Sequence, residues 1–143
     1  MRAGLVLLSV MVAPSLALAG DFPVVEFPMT STGITFSTPS VNIECTYTPR
    51  SASNTFQTPG GQAELSCDRA EPVYLRFVMD ERGKVQLIKD LGEQPCCSGN
   101  NPLAYGSAWE MPPFRCESTA SGLTCERRDG HGFFISRAST KVY

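Results

Sequence analysis

The stretch FRCESTASGLTCERRDGHGFFIS, residues 114–136, decides the fold. It holds two of the six cysteines and the only histidine of the chain. Residues 114–118 and 123–127 flank Thr119-Ala120-Ser121-Gly122, a turn sequence, so the stretch reads as a β-hairpin. Cys116 and Cys125 fall at matched places on the two arms, where their Cβ atoms sit opposite each other within disulfide reach. Closing so short a loop stabilises by roughly 2 to 3 kcal/mol, acting through the unfolded chain. Arg127-Arg128-Asp129-Gly130 reads as a solvated turn, and residues 131–136 as a further strand.

Working outward, the same alternation recurs. In residues 41–48, Val41, Ile43, Cys45 and Tyr47 share one face, and Asn42, Glu44, Thr46 and Thr48 the other. In residues 62–68, Ala63, Leu65 and Cys67 point inward. Period two with β-branched residues marks half-buried strands and puts Cys45 and Cys67 on core faces. Residues 73–79 and 84–89 flank Asp80-Glu81-Arg82-Gly83. Gly83 and the β-branched content favour a hairpin there over a continuous helix. Residues 34–37 and 140–143 are short strand candidates. Residues 21–33 form an extended lead-in with an edge strand near 24–27. Residues 49–61 are a polar loop suited to contact. Residues 91–106 are too rich in Gly, Pro and Asn for a regular element, though Leu103 and Tyr105 offer one short strand. These signals predict an all-β fold: a small disulfide-stapled sandwich or barrel of about eight short antiparallel strands, with residues 34–143 as a single domain.

Arg2, the apolar run over residues 4–19 and Ala17-Leu18-Ala19 read as a signal peptide over residues 1–19, with the mature chain beginning at Gly20. Pro14 interrupts the run and no basic stop-transfer cluster follows, which argues against a retained transmembrane anchor. Loss of Arg2 takes the formal charge from −2 to −3. Nucleic-acid binders carry a basic field, so that class is set aside. The expected setting is periplasmic or extracellular.

Six cysteines in an exported chain of this size read as three disulfides. With no C-x-x-C and one histidine, zinc-ligand spacing is absent, and no metal or other cofactor is expected. With Cys116 paired to Cys125, three pairings remain for Cys45, Cys67, Cys96 and Cys97. One joins Cys45 to Cys67 and leaves a vicinal Cys96–Cys97 bond. The other two send Cys96 and Cys97 to Cys45 and Cys67 in either order. Separate distant partners are the favoured expectation, because a vicinal bond closes a tight ring.

Asn42-Ile43-x-Cys45, Leu103-x-Tyr105-Gly106-x-x-Trp109, Cys116-x8-Cys125, Gly130-His131-Gly132-Phe133 and Ser136-Arg137-Ala138 together resemble a family of small exported bacterial proteins, a domain of unknown function. The resemblance runs from about residue 36 to the C-terminus. The family pattern places a single cysteine where this chain has Cys96-Cys97 and another upstream of it that this chain lacks. The resemblance implies that the doublet does the missing cysteine's work, as a vicinal bond would. It implies location and fold only, since the family carries no established activity.

His131 is the one candidate general base of ordinary pKa, with Asp129 and Arg137 as the nearest helpers of a small secreted hydrolase. The blander reading is a turn histidine bonded to backbone. A free thiolate is not expected from an even cysteine count, and G-x-S-x-G and P-loop motifs are absent. Tyr105 and Trp109 are aromatics beside glycine-rich chain, suited either to stacking a ligand or to capping a core. The leading expectation is a non-enzymatic β domain. It binds an envelope or extracellular protein or glycan through Tyr105, Trp109 and the His131 turn. A purely structural envelope protein is the third class.

Overall fold

The alternating stretches become strands in the computed structural model, which describes residues 21–50 and 58–143. The signal-peptide reading over residues 1–19 and most of the polar 49–61 loop lie outside the described residues. Among the described residues, ten strands form two open five-stranded sheets, a sandwich in which each strand pairs antiparallel with a sequence neighbour. The first sheet holds β1 (Ile34–Ser37), β2 (Ile43–Thr48), β3 (Glu64–Arg69), β4 (Leu75–Asp80) and β5 (Gln86–Ile88). The second holds β6 (Ser107–Met111), β7 (Phe114–Thr119), β8 (Gly122–Arg127), β9 (Gly132–Ile135) and β10 (Thr140–Val142). Among the described residues the only helical turn is a 3-10 turn at Pro59–Gly61.

Cys116 lies opposite Cys125 in the β7–β8 register, and the hairpin turns on Ala120 and Ser121. The 73–89 stretch is a hairpin, with Phe77 opposite Leu87. Three expectations need correction. The strand of the Trp109 segment is β6, running to Met111, whereas Pro102 makes only an isolated bridge to Ser37 and Tyr105 lies in a turn. Val41 leaves the alternating set: its φ is 56° and its side chain is exposed. Arg127 is no part of a solvated turn, being 3% exposed.

The favoured cysteine pairing is also overturned. Cys45 bonds to Cys67, and Cys96 to Cys97. The register explains it. Cys45 and Cys67 are directly opposite on β2 and β3, so each fills the other's valence. The doublet, on the connection between the sheets, is left to itself.

The two sheets are copies of one plan. Across the first runs the row Phe36, Cys45, Cys67, Phe77, Leu87; across the second, Trp109, Cys116, Cys125, Phe133, Val142. Leu65-Ser66-Cys67-Asp68-Arg69 on β3 matches Leu123-Thr124-Cys125-Glu126-Arg127 on β8. Equivalent strands face each other through the core: the Phe36 and Trp109 ring centroids lie 5.0 Å apart, and those of Phe77 and Phe133 5.3 Å. The halves are thus related by an approximate two-fold. The matched arginines obey it as well. Arg69 Nη1 donates to the Ser136 carbonyl at 2.9 Å, and Arg127 Nη1 donates to the Asp80 carbonyl at 2.5 Å. Ser136 and Asp80 each stand three residues past the equivalent phenylalanine.

The core lies between the sheets and includes Leu65, Phe77, Met79, Trp109, Phe114, Leu123 and Phe133. Burying each large side chain contributes roughly 1.5–3 kcal/mol. Extra chain covers one pair of sheet edges. The lead-in pairs with β6 (Val25 N–H to the Ala108 carbonyl, 2.7 Å), and residues 101–103 pair with β1 (Leu103 N–H to the Ser37 carbonyl, 2.8 Å). Covered edges do not recruit foreign strands.

Candidate functional site

The registers sort the suspected site residues to different places. Tyr105 precedes the Ser107–Ser118 pair, so it lies at the end of the second sheet that carries the β7–β8 turn. His131 lies beside Arg127, whose partner on β7 is Phe114, at the opposite end. Trp109 is 1% exposed and belongs to the core, against Phe36 and Tyr47. Tyr105, Trp109 and His131 therefore do not form one surface. Of the residues suggested for a hydrolase, the structure brings His131 and Asp129 together, whereas Arg137 lies past the far end of β9 from them.

At the His131 end, Arg127 grips Asp129 through two bonds, Nε to Oδ1 at 2.9 Å and Nη2 to Oδ2 at 2.7 Å. These bonds hold the Asp129 carboxyl well below the usual carboxylate range. His131 Nδ1 stands 3.2 Å from the same Asp129 Oδ1. Arg127 also donates to the Asp80 and Gly83 carbonyls, which knits the β8–β9 loop to the first sheet. Asp129 is thereby committed to structure. Among the described residues, no hydroxyl, thiol or amine side chain is hydrogen-bonded to His131.

The Tyr105 end is built differently. Thr38, Ser40 and Asn42 from the β1–β2 turn, Thr119 and Ser121 from the β7–β8 turn, and Ser136 and Arg137 after β9 surround a hollow of about 200 Å³. Tyr105 stands on its rim, 49% exposed. Val41 lies between Ser40 and Asn42, 47% exposed, and Val73 in the β3–β4 loop is more exposed still. A β-branched residue in the left-handed region is an uncommon conformation that costs of order 1–3 kcal/mol and is characteristic of contact sites. Gly99 packs against its methyls: a Cβ there would lie 3.2 Å from Val41 Cγ1.

Behind this hollow sits Arg69, the counterpart of Arg127. It is 6% exposed, and burial pulls its guanidinium below the usual value. Its bonds go only to carbonyls: Nη1 to Ser136 at 2.9 Å, and Nε and Nη2 to Val73 at 3.3 and 3.2 Å. Among the described residues no carboxylate is paired with it. Two residues after Arg127 comes its partner Asp129; two residues after Arg69 comes Glu71, which instead pairs with Arg137 at 2.7 Å. Asn42 holds the Glu71 backbone in place, donating from Nδ2 to its carbonyl at 3.0 Å and accepting its N–H at 2.9 Å. Arg69 was not singled out from sequence, since a strand-end arginine reads as surface. The matched Leu-x-Cys-x-Arg runs were the available signal.

The Cys96–Cys97 loop crosses the outer face of the first sheet. Cys96 Sγ lies 3.7 Å from the Asp68 carbonyl, and the Ser98 N–H donates to Glu44 at 2.7 Å. Beneath it Arg76 clamps Asp68 with two bonds, 2.7 and 2.8 Å, and the Tyr74 hydroxyl donates to Asp68 at 2.7 Å. Burial, and then that bond, push the Tyr74 hydroxyl up to about 12. The tightest sulfur cluster is Cys45, Cys67 and Cys125, all within 4.8 Å of one another. All three are in disulfides and supply no thiolate to a metal. Among the described residues, no helix is long and apolar enough to cross a membrane.

No family model matches the chain, and no curated protein or solved structure matches it.

Proposed function

We propose that this chain is an exported, non-enzymatic β-sandwich that binds a component of the cell envelope or exterior through its Tyr105 end. The observation that carries the reading is Tyr105 itself, a half-exposed aromatic on the rim of a hollow built from turns of both sheets. Rigid aromatics with few rotamers are efficient contact residues. Val41, exposed on the β1–β2 turn whose Ser40 and Asn42 line the hollow, supports the same end. Export is supported by the signal-like N-terminal sequence, by three disulfides and by the resemblance to small exported bacterial proteins. The opposite end is less suited to the role, because Asp129 and Arg127 there are closed on each other.

The test is comparative capture from envelope extract by the oxidised protein and two variants. Tyr105→Ala is expected to lose the captured component, and His131→Ala at the opposite end to retain it. Equal capture by both variants would remove the reading.

A further inference from the structure

We propose that the hollow at the Tyr105 end is a site for an acidic sugar unit, a uronate residue of an envelope glycan; this rests on the binding role proposed for that end. The approximate two-fold provides an internal control. At the His131 end a buried arginine is closed by the carboxylate two residues later. At the Tyr105 end the equivalent carboxylate, Glu71, faces Arg137, and Arg69 is left buried with carbonyls alone. The three groups, Arg69, Arg137 and Glu71, sum to one net positive charge. A desolvated cation without a counter-charge is costly and favours an arriving anion.

The rest of the lining selects what carries that anion. The Ser136 carbonyl accepts from Arg69, and Ser136 itself faces the hollow, so the buried charge lies just behind its wall. Arg137 lines the opening with a side chain 63% exposed; its Nη1 holds Glu71, and its remaining guanidinium N–H groups are left to meet a carboxylate. Thr38 and Thr119 donate to the Ile43 and Gly122 carbonyls and bond to Ser40 and Ser121, whose hydroxyl oxygens are the polar groups left on the wall to meet a polyol. The Tyr105 ring offers a flat face for a pyranose ring. At about 200 Å³ the hollow has room for one ring rather than a run of them.

The test is an amide-resonance titration of the full oxidised protein with methyl glucuronide and, separately, methyl glucoside. Glucuronide is expected to shift the amides of Tyr105, Ser121, Gly122 and Ser136 and to bind about tenfold tighter than glucoside. Arg137→Gln, a surface change, is expected to bring the two sugars to near parity. Tyr105→Ala is expected to weaken both alike. Absence of shifts with glucuronide, shifts confined to the His131 end, or an undiminished preference in Arg137→Gln would overturn the proposal. So would an acidic peptide that shifts these amides when glucuronide does not. If glucuronide fails while Tyr105→Ala still abolishes capture from envelope extract, the uronate proposal falls and the binding role stands. If capture is also indifferent to Tyr105, both fall.

Discussion

Cys67 on β3 and Cys125 on β8 occupy matching positions in the two sheets, and their sulfurs meet in the centre of the sandwich within 4.8 Å. Each belongs to a different cross-strand disulfide, so the middle of the core is two staples packed against each other.

The staples should be unequal in effect. The Cys45–Cys67 bond spans 22 residues and the Cys116–Cys125 bond 9. Chain-entropy arguments give roughly 3.4 kcal/mol for the longer loop and roughly 2.6 kcal/mol for the shorter. Urea unfolding of the paired alanine variants, Cys45→Ala/Cys67→Ala and Cys116→Ala/Cys125→Ala, is expected to show the larger loss for the first pair. Under mild reductant the half-exposed Cys96 and Cys97 should be alkylated before the four buried cysteines, as peptide mapping would show.

Arg127 anchors three groups, and Arg127→Met leaves the Asp80 and Gly83 carbonyls without their donor. The variant is expected to unfold at a lower urea concentration than wild type, and an unchanged midpoint would count against the anchoring role. Asp129 adds a pH signature. Its carboxyl is depressed in the folded state from an ordinary 3.8, so its contribution is complete above the usual carboxylate range. That contribution fades only as pH falls below it. The melting temperature of Asp129→Asn should lie below wild type at pH 7 and approach it at strongly acid pH. A constant gap at all pH values would contradict the linkage.

Glu64 and Asp80 stand directly opposite on β3 and β4. Burial, and then the neighbouring Asp80, raise the Glu64 carboxyl above its usual 4.5. A raised acid works against folding at neutral pH: stability falls as pH climbs from the unfolded value through the folded one. Glu64→Gln is therefore expected to melt higher than wild type at pH 7 and to match it near pH 4. Lower stability of the variant at pH 7 would count against the sign.

Gly33 and Gly106 are equivalent, each three residues before the aromatic of its first strand, and both have positive φ. A Cβ on Gly33 would collide with the Tyr47 carbonyl, whereas Gly106 has open space. Gly106→Ala should cost about 1 kcal/mol from backbone conformation alone. Gly33→Ala should cost several times more, read from thermal unfolding.

The strands that alternate visibly were legible in the sequence, and so was the Cys116–Cys125 staple. These features are local, set by side-chain period and turn chemistry. β6 was obscured because Trp109 shows little alternation before Pro112-Pro113. The internal copy was hidden by unequal connections: β2 reaches β3 through Pro49 to Ala63, while β7 reaches β8 through Ala120 and Ser121 alone. Arg127 reads as part of a solvated turn and Arg69 carries no local signal, because the Asp80, Gly83 and Ser136 carbonyls that bury them against the core come from the other half of the chain. For the same reason Tyr105 and Trp109 looked alike in sequence, four residues apart, though one faces solvent and the other the core.

None of the three disulfides joins one sheet to the other. The only covalent tether between the halves is the strandless connection from Lys89 to Gly106. A protease that nicked it would yield two closed, separately stapled fragments held by interlocked aromatics and reciprocal arginines. The molecule is in that sense a heterodimer written on one chain, ready to be expressed as two complementing pieces.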